Sequence, residues 1–104
     1  MKYNKKVEIR DSWFNTNPSG TYWIEPLNSG GVITHNKGQF LACGIIFNLA
    51  VGQTNYAEIE AILHDENETD WAVYRLEVGR THELAIKGIR AGGTTAREIR
   101  ILAE

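Results

Sequence analysis

Gly38-Gln39-Phe40-Leu41-Ala42-Cys43-Gly44-Ile45-Ile46-Phe47-Asn48-Leu49-Ala50-Val51 is the most apolar run of the chain and carries no charged residue. Its β-branched and aromatic content, with glycine at its start, inside it and just beyond its end at Gly52, argues for a long strand buried on both faces and kinked or bulged at Gly44. A single helix of the same length is the competing reading. The alternation on either side of the run decides against it.

Downstream, Ile59, Ala61 and Leu63 point one way and Glu58 and Glu60 the other, which is the pattern of a sheet with one face in water. After the acidic loop His64-Asp65-Glu66-Asn67-Glu68-Thr69-Asp70, residues 71–78 alternate again, with Ala72, Tyr74, Leu76 and Val78 on one face and Arg75 and Glu77 on the other. Leu84 and Ile86 form the next inward pair. Gly88 lets the phase slip so that Ile89 also turns inward, as in a bulge. Arg90-Ala91-Gly92-Gly93-Thr94-Thr95 is a turn, and the last strand, residues 96–102, sends Ile99 and Ile101 inward and leaves Leu102 on the polar side.

Upstream, residues 7–14 alternate through Val7, Glu8, Ile9 and Arg10 and end in Trp13 and Phe14, a half-buried first strand. The turn Asn15-Thr16-Asn17-Pro18-Ser19-Gly20 leads to a short aromatic strand at residues 21–25, stopped by Pro26. Asn28-Ser29-Gly30-Gly31 is a further turn, and residues 32–34 a further short strand before the central run. No convincing amphipathic helix is visible. Seven or eight short strands with turns about every ten residues predict an all-β fold, a single antiparallel, jelly-roll-like β-sandwich; the pattern does not separate jelly-roll from immunoglobulin-like connectivity, although the Cys, Trp, Cys spacing of true immunoglobulin domains is absent. The domain spans residues 7–104, with residues 1–6 as a basic arm carrying Lys2, Lys5 and Lys6.

Composition narrows the function. A chain of 104 residues with formal charge -2 has no broad positive field, which argues against nucleic acid and against anionic membranes as partners. One cysteine, Cys43, excludes an internal disulfide framework and reads as a small buried hydrophobe. The basic start runs into Val7-Glu8-Ile9-Arg10-Asp11 instead of an apolar segment, so it does not read as a signal peptide, and the expected site of synthesis is a cytoplasm.

No residue constellation announces catalysis, and no cofactor is expected. The acidic loop offers oxygens for calcium but lacks the glycine and terminal glutamate of an EF-hand, so a solvated hairpin tip is the better reading. Its sequon, Asn67-Glu68-Thr69, has meaning only in a secreted chain. His35, His64 and His82 lack zinc spacings. Glu58 and Glu60 stand ~7 Å apart on one strand face. They resemble a glycosidase pair less than two members of surface ion pairs with Arg75, Lys87, Arg97 or Arg100.

The aromatic residues are more informative. Trp71 and Val73 share a face with Arg75 and Glu77, which pushes an indole and a branched aliphatic outward. Trp13, Phe14, Tyr22 and Trp23 cluster around the Asn-Pro-Ser-Gly turn, where one parity also points away from the core. These residues, with Leu102, are the candidate contact set for a protein interface or a sugar. In length, all-β patterning, cysteine count and outward apolar residues the chain resembles small all-β phage head-decoration (cement) proteins and small tail or baseplate subunits, a resemblance of class and not of motif. It implies a virion structural protein made in the host cytoplasm, not an enzyme, acting by adhesive contacts with other copies of itself and with a larger protein lattice. In that case Lys2, Lys5 and Lys6 lie along an acidic partner surface. The alternative is a carbohydrate-binding β-sandwich module that stacks Trp13, Tyr22, Trp23 or Trp71 on glycan rings.

Overall fold

The computed structural model of the chain describes residues 3, 5–24, 42–52, 54–64, 66–67 and 69–104. The alternating segments form strands β1 (Lys5–Ile9), β2 (Thr21–Trp23), β3 (Ala42–Ala50), β4 (Tyr56–Leu63), β5 (Ala72–Glu77), β6 (Ile86–Arg90) and β7 (Ala96–Ala103), with one short helix, α1 (Asp11–Thr16), between β1 and β2. Two antiparallel sheets result, one of three strands in the order β1-β7-β3 and one of four in the order β2-β6-β4-β5. The chain changes sheet at each step from β1 to β4, stays in the four-stranded sheet through β6 and returns to the other with β7. This is the strand order of a jelly roll whose strand between β5 and β6 is reduced to a stub. In its place Ile45 and His82 exchange two backbone hydrogen bonds of 2.9 and 2.8 Å, and Gly79 donates a third to the Phe47 carbonyl.

The two inner faces meet through residues that obey the pleat. Val7, Ile9, Ile45, Phe47, Ile99 and Ile101 come from the three-stranded sheet, and Ala57, Ile59, Ala61 and Ile89 from the other. Burial of each large aliphatic or aromatic side chain contributes about 1.5–3 kcal/mol, and that is what overcomes the entropy of ordering so many turns. The His82 ring lies flat against Phe47, with centroids 5.8 Å apart, while its Nε2 stands 2.8 Å from the Glu77 carbonyl oxygen, so the stub is fastened by its side chain as well as its backbone.

Both expected phase slips are present. β3 pairs Ala42 with Ala103 but Gly44 with Leu102, which leaves Cys43 as the extra residue; the pairing of β4 with β6 likewise passes over Lys87 beside Gly88. The bulge corrects the expectation for Cys43: an unpaired bulge residue is turned partly out of the sheet, and this thiol is half-buried.

Two further expectations are corrected. The first strand ends at Ile9, and Trp13 and Phe14 lie on α1, held by tertiary contacts: Asp11 accepts the Glu98 N–H at 2.9 Å, and the Arg97 guanidinium stacks 3.9 Å above the Phe14 ring. That strand begins at Lys5, which pairs with Ala103, so Lys5 and Lys6 are sheet residues and not part of an arm. On β4, Leu63 packs half-buried against the core as its alternation with Ile59 and Ala61 requires, and Ile62 is completely buried as well. The strand expected at residues 32–34 and the end of the one expected at 21–25 lie outside the described residues, as do His35 and Lys2.

Candidate functional site

The outer face of the four-stranded sheet is built around a missing side chain. Trp23, Gly88 and Ile62 are register partners across β2, β6 and β4, and all three point away from the main core. Gly88 contributes no side chain to this row, and the indoles close over the gap: a Cβ there would stand 2.9 Å from Trp23 and 3.2 Å from Trp71. The two rings meet edge to face with centroids 5.7 Å apart. Ile62, level with Gly88, is 0% exposed although it lies outside the main core cluster. The sandwich thus carries a second, small apolar cluster on its outside, with the tryptophans as its lid.

Charged groups frame this lid. Arg90 lies 4.1 Å over the Trp71 ring and 3.7 Å from Glu60, so it serves as a cation over an aromatic face and as an ion-pair partner at once. Glu58 stands opposite Arg75, which also reaches over the Tyr56 ring at 5.2 Å. The backbone N–H groups of Glu58 and Glu60 are bonded by the hydroxyls of Thr95 and Thr94, which brings the 91–95 turn against β4 where β6 has ended. Among the expected ion-pair partners of the two glutamates, Arg75 faces Glu58, whereas Arg100 is paired with Glu8, Arg97 covers Phe14, and the Lys87 ammonium donates to the Glu66 carbonyl. Val73, directly opposite Glu60 and 56% exposed, is the exposed aliphatic of this face among the described residues; Tyr56, 47% exposed, shares the face under Arg75.

The other expected contact residues lie elsewhere. Trp13 and Tyr22 meet edge to face at 5.3 Å and pack against the main core. Their outer sides line a cleft of about 400 Å³ with Glu8, Arg10, Ser12 and Thr16. Burial holds the Tyr22 phenol above the ordinary tyrosine range. Leu102 is half-buried on the outer face of the three-stranded sheet, as the register partner of Lys6. Trp23, Trp71 and Val73 therefore form one surface, Trp13 and Tyr22 a second, and Leu102 with Lys6 a third.

The hydrogen bonds of the acidic loop are those of a hairpin tip: Glu66 accepts the Leu63 N–H and Asp70 accepts the Asn67 N–H. Among the described residues no group of three or more His, Cys, Asp or Glu side chains could hold a metal ion. Among the same residues no helix is long and apolar enough to cross a membrane. Ile62 is the member of the site that alternation did not reveal. The signal present in sequence was an isoleucine at an outward-facing position of β4; its level with Gly88 comes from the strand register alone. Comparison with protein-family models, with characterised proteins and with solved structures gave no match to this chain.

Proposed function

We propose that the chain is a structural, adhesive subunit that docks by the outer face of its four-stranded sheet onto a larger protein lattice, as a virion decoration (cement) protein or small tail subunit does. The observation that carries this reading is the Val73 surface: an exposed aliphatic beside a tryptophan pair, within a frame of charges that already neutralise one another. An apolar centre with a satisfied polar rim is the anatomy of a protein interface core. Jelly rolls serve viral capsid and lectin domains alike, so the fold agrees with the reading by analogy only.

A second reading, glycan binding, rests on the Trp13–Tyr22 cleft, where aromatic walls and polar side chains line one concavity. The Trp71 ring suits it less, because Arg90 occupies one of its faces. Co-sedimentation with capsids or tails purified from the source of the chain separates the two. The native chain pellets with the particles, and Val73→Asp, with an unchanged circular dichroism spectrum, stays in the supernatant. A native chain that stays in the supernatant while oligosaccharides shift its tryptophan emission reverses the order.

A further inference from the structure

Of the six arginines of the chain, five are engaged. Arg75, Arg90 and Arg97 lie over the Tyr56, Trp71 and Phe14 rings, Arg80 pairs with Glu77, and Arg100 pairs with Glu8. Arg10 is the sixth. Exposed just past β1, it has no ion pair, side-chain hydrogen bond or aromatic ring beneath it among the described residues. It lines the Trp13–Tyr22 cleft of about 400 Å³ and also a second hollow of about 250 Å³, which Asp11 and Glu98 line as well.

The two hollows differ in charge. Glu8 and Arg10 are common to both, but the second adds two acids, Glu98 and the Asp11 that accepts its N–H at 2.9 Å. In the cleft Glu8 is the one acid among the lining residues, and its carboxylate is already answered by Arg100 at 3.3 Å and Lys6 at 3.4 Å. An anion is therefore repelled from the second hollow and drawn to Arg10 from the cleft. One guanidinium beside one carboxylate matches a single negative charge, which suits a carboxylate better than a phosphate dianion. The planar fork of arginine donates to both carboxylate oxygens at once.

The other walls of the cleft suit a sugar ring. Trp13 and Tyr22 meet edge to face with centroids 5.3 Å apart, and among the described residues no cation lies over either ring. Each thus combines apolar area with a polar tip in the wall of one concavity. The Thr16 hydroxyl already accepts from the Asn17 amide at 2.9 Å, whereas those of Ser12 and Tyr22 make no hydrogen bond among the described residues and can serve sugar hydroxyls as donors or acceptors.

We propose that the Trp13–Tyr22 cleft takes an acidic sugar, with its ring against the aromatic wall and its carboxylate on Arg10. This ligand class rests on the glycan reading of the cleft and is independent of the Val73 surface, which lies apart from it.

Trigalacturonate and sialyllactose, each beside its methyl ester, are titrated into the full chain, with binding read by calorimetry and by tryptophan emission. At least one acid binds about ten-fold or more tightly than its ester, because the ester keeps the ring and loses the charge-assisted pair with Arg10. Added salt narrows the gap. Arg10→Gln binds acid and ester alike, and Arg10→Lys keeps part of the difference, since an ammonium retains the charge but not the fork. Circular dichroism checks that the variants are folded, and the comparison of acid with ester on the native chain is decisive without them. Acid and ester that bind the native chain equally overturn the proposal and leave the glycan reading standing, whereas sugars that neither shift the emission nor release heat overturn both. A preference for the acid that survives Arg10→Gln overturns the proposal as well.

Discussion

Replacing Gly88 with alanine tests whether the outer indole pair is packed as tightly as its geometry requires. The added Cβ would stand 2.9 and 3.1 Å from two carbons of Trp23 and 3.2 Å from Trp71. Carbon atoms rest about 3.5–4.0 Å apart, so both rings must retreat and Ile62 beneath them loses cover. Overpacking of this kind costs about 1–3 kcal/mol, against about 0.5–1 kcal/mol returned by removing a glycine from a strand interior. The net expectation is a loss of about 1–2 kcal/mol, which in a domain of this size lowers Tm by about 4–8 °C for each kcal/mol. Gly92→Ala is the control, because the nearest atom to its Cβ is the Pro18 carbonyl oxygen at 3.8 Å. That change should be neutral or stabilising by about 0.4–1 kcal/mol. Thermal unfolding followed by far-ultraviolet circular dichroism gives both values, and near-ultraviolet spectra report the displaced indoles. A Gly88→Ala protein as stable as the native one, with unaltered near-ultraviolet signals, would refute the packing argument.

Two further outcomes follow from the same structure. Ile62→Ala, although it changes an outward-facing strand position, should cost about 2–5 kcal/mol in urea unfolding, as core truncations do; a change within about 0.5 kcal/mol would mean that the indoles do not shelter it. The phenols of Tyr22 and Tyr74 are raised above the ordinary value of 10.0, both by burial first and Tyr74 also by Glu66. Because the folded pKa is the higher one, their contribution to stability is whole below pH 10 and is lost as pH rises through the folded value. Ultraviolet titration of the folded protein should therefore show late-ionising tyrosines, one fewer in Tyr22→Phe, and all four ionising together near 10.0 before unfolding would contradict this.

Much of the architecture was legible in the chain because alternation is a local property. β4 and β7 show it plainly, and the glycines at positions 44 and 88 marked where pairing slips by one residue. α1 was not legible. Asp11, Ser12, Trp13, Phe14, Asn15 and Thr16 are middling or poor helix formers, and a helix of six residues has no stability of its own. It exists because Phe14 is buried against the core and Asp11 caps the Glu98 amide at the kink of β7, where φ is 55°. The division of the aromatic residues among separate surfaces was also hidden. It depends on Trp23 of β2 and Trp71, the residue just before β5, meeting over Gly88 although β2 and β5 are not neighbours in the sheet.

The His82 stub has a consequence for aggregation. By stopping one margin of the three-stranded sheet with a residue of the same molecule, it withholds the backbone groups of Ile45 from any passing strand. A chain that lost its hold on Ile45 would bare those groups, and strand-on-strand polymers would then be open to it.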